Sequence, residues 1–236
     1  MKIVIKLKNK IYNKIRILHN LYIKEGSFLN KKSYASDEID QKVINFFKNK
    51  FNGIYVDVGC YHPTKNNNTY LLYKKFNWRG VNIDVSKFSI DLFNYWRTED
   101  KNIRCGITSK KKYSKLYYQK DFSLLSTLSK TQSKNVFHEK VKCKLIRCDT
   151  LTNILDKSIY KEKKIDFLTI DTEGNDLNVL KSLNFKIYDP SLICVEDTNL
   201  YYKNIDNIKN TKVFKFLSLL NYTYMRAGIF DHFYFK

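Results

Sequence analysis

The sequence predicts an α/β fold: a mostly parallel central sheet with helices on both faces and an antiparallel C-terminal strand. Three observations carry that expectation. Short apolar runs alternate with stretches of helical spacing along most of the chain. The runs are apolar at successive positions, the pattern of strands covered on two faces rather than one. The last two runs, 222–226 and 231–235, follow each other with no helix between them and so form a strand pair.

Residues 1–25 mix Ile, Leu and Tyr with Lys and Arg, and Ile11, Ile15, Leu18 and Tyr22 fall at helical spacing. They predict a basic helical extension, residues 1–36, which either packs on its own domain or touches an anionic membrane surface. Within it, 26–36 reads as a loop. The main domain spans 37–236, and Asp37 opens a helix over 38–50 with Val43, Ile44 and Phe47 inward. Residues 54–58 are a strand ended by Gly59, 69–76 a helix, 80–84 a second strand, 86–95 a helix and 103–107 a third strand. Strands at 113–118 and 141–148 flank a Ser- and Lys-rich stretch, and 108–140 reads as a substrate-facing insertion. Then come a short helix (151–155), a strongly apolar fourth strand (165–170) ending at Asp171, and a helix (175–183). A fifth strand (191–195) ends at Glu196, and a helix (211–220) precedes the strand pair.

The chain has 236 residues, with 43 Lys+Arg against 23 Asp+Glu and a formal net charge of +20. That length is enough for one large domain without staples. The charge fits a nucleic-acid or anionic-surface partner. Yet the arginines are only Arg16, Arg79, Arg97, Arg104, Arg147 and Arg226, and phosphate sites favour the arginine fork. No RRM, KH or zinc-finger pattern is present. Functional charge and compositional bias both remain open. The cysteines, Cys60, Cys105, Cys143, Cys148 and Cys194, are irregularly spaced and give no zinc pattern, so reduced thiols are expected. No apolar run approaches about 18 residues, and lysines interrupt the N-terminus too often for a signal-peptide core. A cytoplasmic location is expected.

Open α/β sheets bind ligands beyond the carboxyl ends of their strands. Standing there are Asp57 and Gly59, Asp84, Asp171 and Glu173, and Glu196 and Asp197. Grouping carboxylates costs repulsion unless a ligand or cation compensates. Val56-Asp57-Val58-Gly59-Cys60 is not GxGxxG, so the dinucleotide fingerprint is absent. Gly59 lets the backbone pass close to a ligand, and Asp57, an acceptor when ionised, suits a ligand ammonium. Asp84 is placed to accept from both hydroxyls of a ribose, and no basic residue follows at Val85-Ser86 to greet a ribose phosphate. Asn68 and Thr69 open the next helix, where N–H groups can hold a carboxylate or be capped by Asn68 itself.

The run Asp171-Thr172-Glu173-Gly174 resembles the D-x-E-G signature of FkbM-type methyltransferases. In matching order, the segment from Gly53 through His62-Pro63 is similar to the family's first strand and His-Pro turn. Asn68-Thr69-Tyr70, Trp78 to Asp84 and Pro190 to Glu196 resemble the next helix, the second strand and the strand ending in Glu. Two departures are Cys60-Tyr61, where Ala-His or Ala-Asn is usual, and Asp84-Val85-Ser86, where Glu-Pro-Asn is frequent. The resemblance implies a Rossmann-like class I methyltransferase fold with S-adenosyl-L-methionine as donor, held by Asp57, Gly59, Asn68, Thr69, Asp84 and Asp171. It implies transfer to a hydroxyl of a glycan or small molecule. Such a hydroxyl has a pKa toward water's ~15.7 and gains from a base or a metal. His62 and Glu173 are the candidate catalytic bases. Asp171, Glu196 and Asp197 are candidate Mg²⁺ ligands, because hard cations take oxygen donors. The alternatives are an RNA methyltransferase and a non-catalytic ligand-binding homologue.

Overall fold

The structure, a computed structural model, describes residues 2–138, 140–196 and 208–236, with side chains from residue 8 onward. Strands β1 (Ile54–Val58), β2 (Arg79–Asp84), β3 (Lys101–Arg104), β7 (Phe167–Ile170), β8 (Leu192–Glu196), β9 (Thr223–Arg226) and β10 (Asp231–Phe235) form one seven-stranded sheet. Its order is β3-β2-β1-β7-β8-β10-β9. The five strands from β3 to β8 run parallel, and β10 runs antiparallel to both neighbours. Those five follow the Rossmann strand order; the antiparallel β10 departs from it.

Strand alternation sorts the core into two layers. Val56, Val58, Val81, Ile83, Leu168 and Ile170 face α6 (Leu151–Asp156), α7 (Asp176–Lys181) and α8 (Lys212–Leu219). Tyr55, Phe167, Leu192 and Phe233 face α2 (Ile39–Phe46) and α3 (Tyr70–Phe76), with Trp78 fully buried among them. Cappers start several helices: Ser86 accepts from the Ser89 N–H at the head of α4 (Lys87–Trp96), and Thr150 and Thr211 do the same for α6 and α8. The helix expected over 38–50 stops at Phe46, because Lys48 and Asn49 turn left-handed, with φ of 50° and 61°.

The strand expected over 103–107 is two strands. Cys105 N–H still donates to Asp84 O at 3.0 Å, but the chain then leaves the large sheet. Gly106–Ile107 (β4) pairs with β6 (Lys142–Asp149), which also pairs with β5 (Lys112–Tyr118). Gly106 permits the approach: a Cβ there would lie 2.7 Å from Cys148 Sγ. Residues 119–129 and α5 (Lys130–Val136) complete this subdomain.

The N-terminal helix α1 (Lys2–Leu18) continues as a π-helical turn, His19–Lys24. Ile17 and Leu21 pack on Phe88 and Leu92 of α4, and Asn13 donates to Asp91 at 2.9 Å. One face of the extension therefore docks on its own domain. No helix among the described residues is long and apolar enough to cross a membrane. All five cysteines are free thiols, and only Cys143 is exposed.

Candidate active site

The chain leaves β1 toward β2 and later enters β7 on the other side of β1, so the switch point lies between β1 and β7. A crevice opens there. Its floor depends on Gly59, which has φ +86° and whose added Cβ would sit 1.7 Å from Asp171 O. No side chain fits between those two strand ends.

Next along the chain, Tyr61 N–H donates to Asp84 Oδ2 at 2.9 Å, and Ser86 N–H to Asp84 Oδ1 at 2.7 Å. Each oxygen keeps further acceptor capacity, so the carboxylate is fixed in place yet able to receive a ligand's donors. Asp84 borders this crevice with Gly59, Tyr61, Asp171 and Asn175. Ile83, Val85, Cys105, Ile107 and Leu128 give it an apolar wall, and Ser123, Leu124 and Ser126 reach it from the segment before α5. An apolar wall beside one pinned acid offers a ligand both a hydrophobic contact and an acceptor for its hydroxyls.

Asp171 joins this cavity to an acidic trio. Asp171, Glu173 and Glu196 each bring a carboxylate oxygen within 4.8 Å of the others. Asp176 organises the loop, accepting from Thr172 N–H (2.8 Å), Thr172 Oγ1 (2.7 Å) and Gly174 N–H (3.1 Å). From the other side Thr127 Oγ1 donates to Glu173 O at 2.7 Å. Glu173 is thereby held at φ 52°, a left-handed conformation uncommon for a residue with a side chain. Burial, then the charges of Asp171 and Asp176, push the Glu173 pKa up to about 8. Glu196 rises to about 7, first through burial. Asp171 is exposed as a residue, but the protein packed around its carboxyl and the adjoining Glu196 push its pKa well up. Of the expected cation ligands, Asp171 and Glu196 meet, Glu173 joins them, and Asp197 lies outside the described residues.

His62 is elsewhere, and its expected role as a base is corrected. It is fully buried, its Nδ1 accepts from the N–H groups of Thr64 (3.2 Å) and Lys65 (3.1 Å), and its Nε2 meets Asn20 Oδ1 at 2.9 Å. Those partners fix the neutral Nε2–H tautomer and leave neither nitrogen free. Burial lowers the pKa to about 4. His62 ties the N-terminal extension to the loop after β1. His62→Ala is expected to cost about 1–3 kcal/mol of stability in thermal denaturation; an unchanged melting temperature would contradict this.

Asp57, Asn68 and Thr69 are likewise not in the cavity wall. Asp57 Oδ2 accepts from Asn67 Nδ2 (3.1 Å) and Thr69 Oγ1 (3.0 Å), and burial raises its pKa to about 6. Thr69 N–H is spent on Asn67 Oδ1 at 3.0 Å, and Asn68 Nδ2 reaches Thr169 Oγ1 at 3.1 Å. These side chains shape the turn leading into α3 and are engaged within the protein, rather than aimed at a ligand's ammonium or carboxylate. Sequence reasoning gave no role to Arg97, Asn67 or Asp176, and placed Thr127 only within the substrate-facing insertion. Only Asp176 carried a local signal, its place just after the D-x-E-G run.

The strand order with its antiparallel β10, the acid closing β2 and the absent dinucleotide loop define a Rossmann-like methyltransferase fold. Residues 57–224 match the methyltransferase FkbM domain family, and the chain belongs to it. Among solved structures, the O-methyltransferase from Bacillus cereus in complex with SAH is similar at 11% identity and a TM-score of 0.47, over 93% of this chain and 90% of that one. No curated protein matches the chain.

Proposed function

We propose that this methyltransferase uses S-adenosyl-L-methionine to methylate a hydroxyl oxygen of a small-molecule or glycan acceptor. One observation carries the reading: Asp171 lines the same crevice as the pinned Asp84 carboxylate, and its own carboxylate lies within 4.8 Å of Glu173, whose pKa burial and neighbouring carboxylates push up to about 8. When bound, S-adenosyl-L-methionine supplies an electrophilic methyl on a sulfonium. Asp84 accepts from both ribose hydroxyls, and the wall of Ile83, Val85 and Ile107 covers the base. Gly59 lets the donor lie against the sheet. The Glu173 carboxylate takes the acceptor's hydroxyl proton as the oxygen bonds to the methyl carbon and the carbon–sulfur bond breaks. A base with a pKa near working pH suits that transfer, and in-line positioning contributes up to about 7–11 kcal/mol.

Calorimetric titration with S-adenosyl-L-methionine tests the premise. The wild-type chain is expected to bind, and Asp84→Ala to weaken binding by about 10–100-fold, the loss of hydrogen bonds to a charged group at ~1.5–3 kcal/mol. Failure of the wild-type chain to bind would remove the reading.

The meeting of Asp171, Glu173 and Glu196 favours a second reading, in which the trio holds a divalent cation through oxygen ligands. Such an ion would stabilise the deprotonated carboxylates and lower the acceptor's pKa. Turnover abolished by chelation and restored by Mg²⁺ selects it; turnover indifferent to chelation selects Glu173 as the base.

A further inference from the structure

The N-terminal helix presents the wrong side to water. A surface helix packed on a domain ordinarily turns its apolar stripe inward and its polar side out. Helix α1 and the π-helical turn that continues it do bury one face, through Ile17, Asn20 and Leu21. The opposite face is also apolar: Ile11 is 52% exposed, Tyr12 63%, Ile15 58%, and Ile23 on the following turn 76%. Phe28 and Leu29, in the loop just beyond, are 56% and 51% exposed, and the Phe28 ring stacks on Tyr22 at 6.2 Å. Exposed apolar side chains gathered on one helix face and the adjoining loop mark an interaction site.

The charge on the same segment selects the partner. Lys2, Lys6, Lys8, Lys10, Lys14, Arg16 and Lys24 fall within it, and no Asp or Glu precedes Glu25. Lys8, Lys10 and Lys14 are exposed and make no ion pair among the described residues. A second copy of the chain is disfavoured, since it would bring the same acid-free row of lysines against this one. Nucleic acid would use the lysines but leave the isoleucines wet. We propose that the outward face of α1 docks the protein on an anionic lipid bilayer, with Ile11, Ile15 and Ile23 entering the acyl boundary, Tyr12 at the headgroup level and the lysines on the phosphates. Basic amphipathic helices bind through this combination of buried apolar area and attraction to acidic lipids, and tyrosine favours the interface. Three anchors hold the helix so that this face stays outward: Asn13 on Asp91, Asn20 on His62 and Leu21 against α4.

The test is co-sedimentation of the full chain with vesicles of phosphatidylcholine alone or containing about 30% phosphatidylglycerol. Preferential binding to the anionic vesicles, by about tenfold or more, is expected. The double variant Ile15→Ser/Ile23→Ser, at two exposed positions, is expected to keep its circular dichroism and melting temperature and to lose about tenfold in vesicle affinity. A wild-type chain that stays in the supernatant overturns the proposal. So does a folded double variant that binds as well as wild type, since the contact would then be one of charge alone, as with a nucleic acid. Concentration-dependent dimerisation through Ile15 and Ile23, with no vesicle binding, assigns the face to a second copy and overturns it equally.

Discussion

Arg97→Met is expected to destabilise the protein by about 3–5 kcal/mol, the usual cost of breaking a buried charge network by removing one member. The guanidinium is fully buried. Its Nε and one terminal nitrogen donate to Pro63 O at 3.0 and 2.7 Å, and its terminal nitrogens reach Thr69 Oγ1 at 2.8 Å and Asn67 Oδ1 at 2.6 Å. Asp100 lies 3.9 Å away, and the Phe93 and Tyr70 rings flank it at 5.1 and 5.2 Å. Methionine fills much of the volume but donates nothing, so Pro63 O loses both of these donors and Asp57 and Asp100 lose their nearest buried cation. For a chain of this length the loss corresponds to a drop in melting temperature of about 6–20 °C. Arg97→Lys should recover only part, because one ammonium cannot span Pro63 O and the Thr69–Asn67 pair together. A change below about 1 kcal/mol would mean that relaxation or water satisfies those groups.

Glu173→Gln is expected to lower turnover by about 10²–10⁴-fold, the usual worth of a positioned general base, while calorimetric affinity for S-adenosyl-L-methionine stays near wild type. Its pH behaviour follows from the raised pKa. A base works when deprotonated, so wild-type turnover should climb as pH passes through about 8. The glutamine variant should lose that limb. Stability runs the opposite way. The folded carboxyl holds its proton up to about 8, against an ordinary 4.5, so its contribution is fully present below 4.5 and is lost as pH rises toward 8. Glu173→Gln should therefore melt higher than wild type at pH 8 and show a flatter melting profile between pH 5 and 8. Equal losses of donor affinity and turnover would place Glu173 in donor binding instead.

Legibility differed sharply between elements. Strands β1, β7 and β8 were readable because both of their faces are buried, which leaves an apolar run that nothing else explains. The third strand was misread because leaving the large sheet at Cys105 is decided by β6, some forty residues later, packing against Gly106. The clustered acids, Asp171, Glu173 and Glu196, were readable as residues at or just beyond strand ends. The grip on Glu173 by Thr127 was not, since those two are 46 residues apart. His62 shows the limit most plainly: beside Pro63, following the first-strand glycine, it has the local signature of a functional histidine. Asn20, 42 residues earlier, turns it into a structural one.

The alternation of strands and helices along most of the chain, the two-sided core, the acids at the strand ends and the membership of a methyltransferase family are written in local patterns of a few residues each, which is why the chain alone determined them. Which of those polar groups reach a ligand and which are consumed internally depends on long-range partners competing for the same donors and acceptors. A buried polar group takes whatever partner the folded chain brings to it, at a cost of kcal/mol if left alone. Only the tertiary structure could therefore turn Asp57, Thr69 and His62 inward, leave Asp84 beside the cavity and bring Asp171, Glu173 and Glu196 together.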